Sequence, residues 1–284
     1  MIFLILTVAC SSALALILKD NHVRLGNTAV LLVGNYLTAS LLGLVFLAAS
    51  TSRTFSVGTL LMGAALGVTF VGTFFVFAKA VGAAGAALST VSSRLSLAIP
   101  VAVSAVLFRE QLTQPLAWGF ALTFFTLVFF YLSMRADAAG NHRPGAYLYL
   151  VLLFVGIGVN DLGMKLFEEW RPATDRPFFL VCIFAFSLLY SAAVLVWKSA
   201  SWGLPIRSGA FRRGLVLGVP NILGTFFLLS ALARMKAVQV YPIVNIGVIL
   251  VTATAAALLW RERLNRFGAV ALVAGAAAIV LMGL

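Results

Sequence analysis

The sequence predicts an all-α membrane protein of ten transmembrane helices, arranged as two inverted five-helix repeats. Three observations predict it. Of the 284 residues, 62% are hydrophobic and only 10% charged, against roughly 45–50% apolar and about 25% charged in a soluble domain. The apolar residues form ten continuous runs, each close to the roughly 20 residues a helix needs to cross a bilayer. Short motifs of the first half also return in the second at a nearly constant spacing.

The first run, 2–18, lacks a charged leading region and has no small-residue cleavage site before Lys19-Asp20, so it reads as a spanning helix rather than a signal peptide. The second, 28–49, carries Asn35-Tyr36, suited to hydrogen bonding between helices. The third, 57–78, holds the GxxxG pair Gly63 and Gly67, with Phe70, Phe74 and Phe75 as cavity-wall or packing aromatics. The fourth, 84–107, contains Arg94 in the hydroxyl-rich segment Ser92-Ser93-Arg94-Leu95-Ser96. The fifth, 115–133, is almost without polar residues, which places it away from any cavity. The sixth, 145–166, holds Asn160, Asp161 and Lys165, with Glu168 and Glu169 just beyond it. The seventh is 177–197. The eighth, 209–232, carries Gly214, Gly218 and Pro220-Asn221. Its proline frees a backbone carbonyl, which leads either to a simple kink or to a broken helix lining a cavity. The ninth, 237–259, holds Tyr241-Pro242 and Asn245, and the tenth, 266–283, is again nearly free of polar residues. Continuous rather than alternating apolar runs exclude β-barrel strands. Ten spans of about 20 residues leave connections too short for an extramembrane domain, so the function lies within the membrane.

The formal charge is +12, from 20 Lys+Arg against 8 Asp+Glu. On a soluble chain this would suggest nucleic acid; here most basic residues lie at the ends of runs, where they anchor helices and meet anionic head groups, so no nucleic-acid partner is expected. Cys10 and Cys182 sit in apolar runs and suggest no disulfide framework. His22 and His142 are far apart in short loops, so neither a metal nor another cofactor is expected. No phosphate loop, nucleotide-binding motif or nucleophile–base set occurs, which argues against an enzyme and against ATP-driven transport by this chain.

The repeat is explicit. Gly72-Thr73-Phe74-Phe75 returns as Gly224-Thr225-Phe226-Phe227. Leu107-Phe108-Arg109-Glu110-Gln111-Leu112 returns as Leu259-Trp260-Arg261-Glu262-Arg263-Leu264, and Gly63xxxGly67 as Gly214xxxGly218. The spacing is 152, 152 and 151 residues. The halves are 1–136 and 137–284, within one transmembrane domain. Two consecutive repeats of five spans enter the bilayer from opposite sides, which predicts a pseudo-two-fold axis in the membrane plane. That is a transporter design, with substrate bound near the midplane between the repeats.

Ten helices as five plus five, with Arg-Glu-x-Leu closing the fourth and ninth runs, resemble the EamA-type branch of the drug/metabolite transporter superfamily. Ser96 to Leu112, with Ile99-Pro100, and Tyr241-Pro242 through Leu264 carry the likeness, which extends over essentially the whole chain. The resemblance implies the ten-helix fold and a cavity lined by the first, third, fourth, sixth, eighth and ninth helices. The family's substrates include amino acids, sugars, nucleotide sugars, cations and drugs, so the likeness does not select among them. The first helix, at Ser11-Ser12-Ala13-Leu14, lacks the Trp-Gly start common in that branch.

A charge at the bilayer centre costs roughly 2.5–3.5 kcal/mol on insertion scales, so deep charges mark a cavity or a partner. Asp161 is the only acid well inside a run. It is either a titrating carboxylate in a cavity or half of an i, i+4 pair with Lys165; burial and a nearby cation act on it in opposite senses. Arg94 lies about ten residues into its run, roughly 15 Å from the end and near mid-bilayer. Its guanidinium suits bidentate capture of a carboxylate or phosphate, or a structural pair with Asp161. Tyr241, Asn245, Asn221 and Ser93 complete the candidate substrate site, and Asp161 is the candidate proton-coupling residue.

Assigned alternately to two sides, the connections carry 12 basic residues on one and 6 on the other, leaving aside Arg94 and Lys165. The positive-inside rule then puts both termini outside, whereas the resemblance implies both inside. The function expected is a secondary transporter in the cell (inner) membrane that exports a small polar or amphipathic metabolite by alternating access. Its partners are a small-molecule substrate and the lipid bilayer, and it acts as a monomer or homodimer. The competing expectation is a membrane-embedded scaffold or lipid-handling protein in which Arg94 and Asp161 form a structural ion pair.

Overall fold

The computed structural model describes residues 1–24, 26–50, 55–96, 99–100, 103, 107, 114–137, 146–202, 208–260 and 266–283. Among them are nine α-helices and one short 3-10 turn, with no strand. These are α1 (Ile2–Val23), α2 (Thr28–Ala49), α3 (Val57–Leu95), α4 (Gln114–Asp137) and α5 (Ala146–Trp170), then the turn Ala173–Asp175, α6 (Arg176–Trp202), α7 (Ser208–Leu232), α8 (Ala237–Trp260) and α9 (Arg266–Gly283). Among the described residues, five stretches are long and apolar enough to cross a membrane: Thr28–Ala49, Val57–Phe77, Leu148–Trp170, Ala173–Ala200 and Gly209–Leu232.

Local chemistry sets several boundaries. Asn27 caps α2, its side chain accepting from the Ala29 N–H at 2.9 Å. Pro220 and Pro242 lie inside α7 and α8 without ending either helix. Glu168 and Glu169, expected just beyond the sixth span, belong to the last turn of α5. Large apolar side chains remain on the outer surface, among them Leu41, Val45, Leu189, Val196 and Val273. A soluble monomer does not tolerate so extensive an apolar exterior; surrounding acyl chains do.

The third run and the first half of the fourth, to Leu95, lie within one helical segment, α3, and much of the rest of the fourth run lies outside the described residues. The sequence between them lacks proline and is rich in alanine, the strongest helix former, so nothing local ends the helix. Its contacts nevertheless reverse. Leu66 lies against Gly163 and Thr73 against Gly156, an antiparallel course along α5. Ser92 then donates from Oγ to the Leu150 carbonyl at 2.6 Å, and Ile99 lies against Gly158, a parallel course. On a straight helix Thr73 and Ser92 would be about 28 Å apart, whereas their partners Gly156 and Leu150 are less than two turns apart. The chain therefore turns back between Thr73 and Ser92 and passes α5 twice.

The other pairs have equally definite directions. Gly63 lies on Cys182 and Ile183, and Gly67 on Phe186 and Ser187, so α3 enters parallel to α6. Gly214 lies on Leu31 and Asn35, and Gly218 on Asn35 and Ala39, so α2 and α7 are parallel. Both GxxxG motifs thus serve packing within the chain, where a methyl group would strike the neighbouring backbone or Cβ. Tyr36 on Phe184 and Gly43 on Val181 make α2 antiparallel to α6. Phe3 on Phe227, Cys10 on Gly224 and Asn21 on Arg213 make α1 antiparallel to α7. Val8 lies on Gly247 of α8, and α4 packs on α9. The two ends of the bundle are thereby distinguished. One holds the start of α3, the α5–α6 corner and the end of α7; the other holds the end of α1 and the start of α7.

Candidate functional site

Arg94 stands in the last turn of α3. Its Nη1 donates to Asn245 Oδ1 of α8 at 3.0 Å. One turn earlier on α8, Tyr241 donates from its hydroxyl to the main-chain carbonyl of Asp161 on α5. Three helices therefore meet through four of the residues singled out from the sequence. Tyr241 is 2% exposed and Asn245 7%, so both polar contacts are shielded from the surroundings. Arg94 and Asp161 interact electrostatically. No ion pair within 4.0 Å joins them among the described residues, where the pairs are Arg24–Asp20, Lys165–Glu169, Arg171–Asp175 and Arg176–Glu168.

The arrangement leaves bonding capacity unused. Arg94 Nε and Asn160 Oδ1 are buried without a hydrogen-bond partner among the described residues. An unmet buried donor or acceptor costs about 1–3 kcal/mol, so this corner is incompletely satisfied by the protein itself. Arg94 spends one nitrogen on a neutral amide, which leaves the rest of its planar fork for an anion. Among the described residues no three His, Cys, Asp or Glu side chains gather as metal ligands.

Two other expected members make contacts that do not involve Arg94. Asn221 Nδ2 donates to Asn35 Oδ1 at 3.1 Å, so this amide joins α7 to α2. Ser93 contributes its carbonyl, which accepts from Ser96 Oγ at 2.6 Å. Lys165 Nζ bonds Glu169 Oε1 at 2.5 Å, one turn onward rather than one turn back. Phe70, Phe74, Phe75 and Phe226 pack against the hydrophobic core.

A polar cluster absent from the sequence reading lies at the bundle end formed by α3, α5 and α6. Asp175 Oδ2 accepts from Thr59 Oγ1 at 2.6 Å and from Arg171 Nη2 at 3.0 Å. Arg171 also bonds Thr59 Oγ1 and Ser56 Oγ. Beside it, Arg176 and Glu168 pair through two hydrogen bonds of 2.9 and 2.6 Å. The Arg171/Asp175 spacing was a usable signal, but nothing local announces Thr59, 116 residues from its partner.

No family model matches the chain. An uncharacterised protein of Haemophilus influenzae is 27% identical over 217 residues, covering 76% of this chain and 72% of that one. A solved crystal structure superposes with a TM-score of 0.71 at 17% identity, covering 99% of this chain and 96% of the other. At that identity the likeness concerns the fold alone.

Proposed function

We propose that the chain is a secondary transporter that exports a small polar or amphipathic metabolite by alternating access, with Arg94 binding an anionic group of the substrate and Asp161 exchanging a proton. The observation that carries this reading is the hydrogen bond from Arg94 to Asn245. These residues are 151 positions apart, one short of the 152 at which the motifs on either side of Arg94 return, so Asn245 stands beside Ile246, the repeat mate of Arg94. In two repeats related by a two-fold axis, equivalent positions and their immediate neighbours approach each other only beside the axis. The contact thus supports a polar site between the repeats, where an inverted-repeat transporter binds its substrate.

The helix directions support ten alternating spans. With the two passes of α3 counted separately, spans two and eight run parallel, as do three and seven, and four and six. Spans one and eight, two and seven, and three and six run antiparallel. Alternation along the chain yields this set of directions. An inverted repeat of 1–136 and 137–284 also exchanges the pairs: two with eight becomes seven with three, and six with three becomes one with eight. We place the chain, on the same grounds and on its Arg-Glu-x-Leu motifs, in the EamA-type branch of the drug/metabolite transporters, in the cell membrane.

In the mechanism, a substrate carboxylate or phosphate takes the unused N–H groups of Arg94 and weakens its attraction for Asp161, whose carboxylate then accepts a proton. Occupancy and protonation are coupled because the substrate anion and the Asp161 carboxylate compete for one guanidinium. The testing experiment begins with a ligand screen by thermal shift on the purified chain, followed by uptake of each stabilising ligand in proteoliposomes under an imposed pH gradient. Saturable, gradient-dependent flux that falls in Arg94→Lys supports the reading. Ligand stabilisation without flux would favour a membrane-embedded binding protein.

A further inference from the structure

At the bundle end formed by α1 and α7, a cavity of about 380 Å³ is lined by Leu16, Ile17, Asp20, Arg212, Arg213 and Val216. Its wall is mixed in a particular order. Leu16, Ile17 and Val216 form an apolar slot along the helices, and Val216 is 61% exposed on the outer surface of α7, where acyl chains lie. The charged residues stand near the helix ends, at the close of α1 and the start of α7. Asp20 pairs with Arg24 at 2.9 Å, which cancels its charge. Arg213 donates from Nε to Asn21 Oδ1 at 3.0 Å, which fixes its guanidinium beside the cavity it helps to line. Arg212 is exposed beside it. Asp20, Arg24, Arg212 and Arg213 together leave two net positive charges at the mouth of an apolar slot. This end also belongs to the side whose connections carry 12 of the 18 basic residues outside the spans.

We propose that this cavity binds one anionic phospholipid, with the phosphate on Arg212 and Arg213 and an acyl chain along Leu16, Ile17 and Val216. A free phosphate would satisfy the arginines and leave the slot empty. A zwitterionic lipid would fill the slot but bring its own cation to the arginines. An anionic phospholipid meets both demands, and basic pockets between membrane helices commonly hold such head groups. Because α1 belongs to the first half and α7 to the second, the bound lipid joins them. The inference is independent of the transport reading, since it uses neither Arg94 nor Asp161.

The test is thermal unfolding of the full chain in neutral detergent, titrated with phosphatidylglycerol, phosphatidylcholine or glycerol 3-phosphate. Phosphatidylglycerol should raise the midpoint saturably, while the other two should have little effect. Arg212→Gln should weaken the apparent affinity about fivefold, as expected for one basic residue near an anionic head group, and Arg212→Lys should largely retain it. Val216→Trp, which fills the slot and keeps every charge, should also lose the effect. Lys236→Gln removes an exposed cation beyond the other end of α7 and should change nothing. Equal stabilisation by phosphatidylcholine, or an unaltered response in both Arg212→Gln and Val216→Trp, would overturn the site in favour of a non-specific lipid annulus. Equal stabilisation by glycerol 3-phosphate would replace the lipid with a phosphate site.

Discussion

Arg94 and Asp161 carry the functional argument at the scale of single residues. Arg94→Lys keeps the charge but loses the planar fork, so substrate affinity should fall about tenfold or more while the unfolding midpoint moves little. Binding and unfolding measured on one preparation separate the two effects, and unchanged affinity would remove Arg94 from the substrate site. Asp161→Asn keeps the size of the side chain, and the main-chain carbonyl that accepts from Tyr241 is untouched. It should abolish the pH dependence of flux and leave expression and fold intact; a pH profile like that of the wild type would show that the proton is carried elsewhere. Both residues were legible in the sequence because a charge deep in an apolar run needs a partner or a cavity. The pairings they make were not. Asn245 and Asn221 are the same residue type on neighbouring spans, yet one meets Arg94 and the other meets Asn35. Helix rotation decides between them, and sequence spacing leaves it open.

Close backbone approach decides stability at the scale of elements. A methyl group at Gly214 would strike the Leu31 carbonyl oxygen, so Gly214→Ala must push α7 away from α2. Overpacking of this kind costs about 1–3 kcal/mol and should lower the unfolding midpoint. Gly72 has nothing within 4 Å, so Gly72→Ala should be neutral or stabilise by about 0.5–1 kcal/mol through the helical preference of alanine. Similar losses at both positions would contradict the packing of α2 on α7. The corner between α5 and α6 depends instead on polar contacts. Asp175→Ala leaves Arg171 and Thr59 without their acceptor, a loss of about 1–3 kcal/mol given that the Arg171 side chain is 26% exposed and partly hydrated. Thr59→Val should lose less, because the charge pair remains. The GxxxG motifs announced close packing, since glycine four residues apart makes a groove on one helix face. The Asp175 cluster was hidden because its members lie on three separate segments.

For the whole molecule, the helix directions make a labelling pattern. On a cysteine-free background, Arg24→Cys and Gly209→Cys should react from one side of sealed vesicles. Phe55→Cys, Ala173→Cys and Ala233→Cys should react from the other, as these positions mark the opposite ends of α1, α3, α6 and α7. Reaction of both groups from the same side would refute the alternating arrangement. Composition was enough to establish the helical membrane class, because 62% apolar residues in long runs cannot be covered by the protein's own surface. The recurrence of Gly-Thr-Phe-Phe and GxxxG was likewise enough to expect two related halves. These are properties of the chain in one dimension, where hydropathy and spacing are complete. Which helix faces which is different. The turn of α3 back along α5, the commitment of Lys165 to Glu169, and the meeting of Arg94 with Asn245 and of Tyr241 with Asp161 all depend on rotation and register between helices. In an apolar chain whose helices are hydrophobic on every side, no amphipathic stripe encodes that rotation, so packing of the folded bundle sets it.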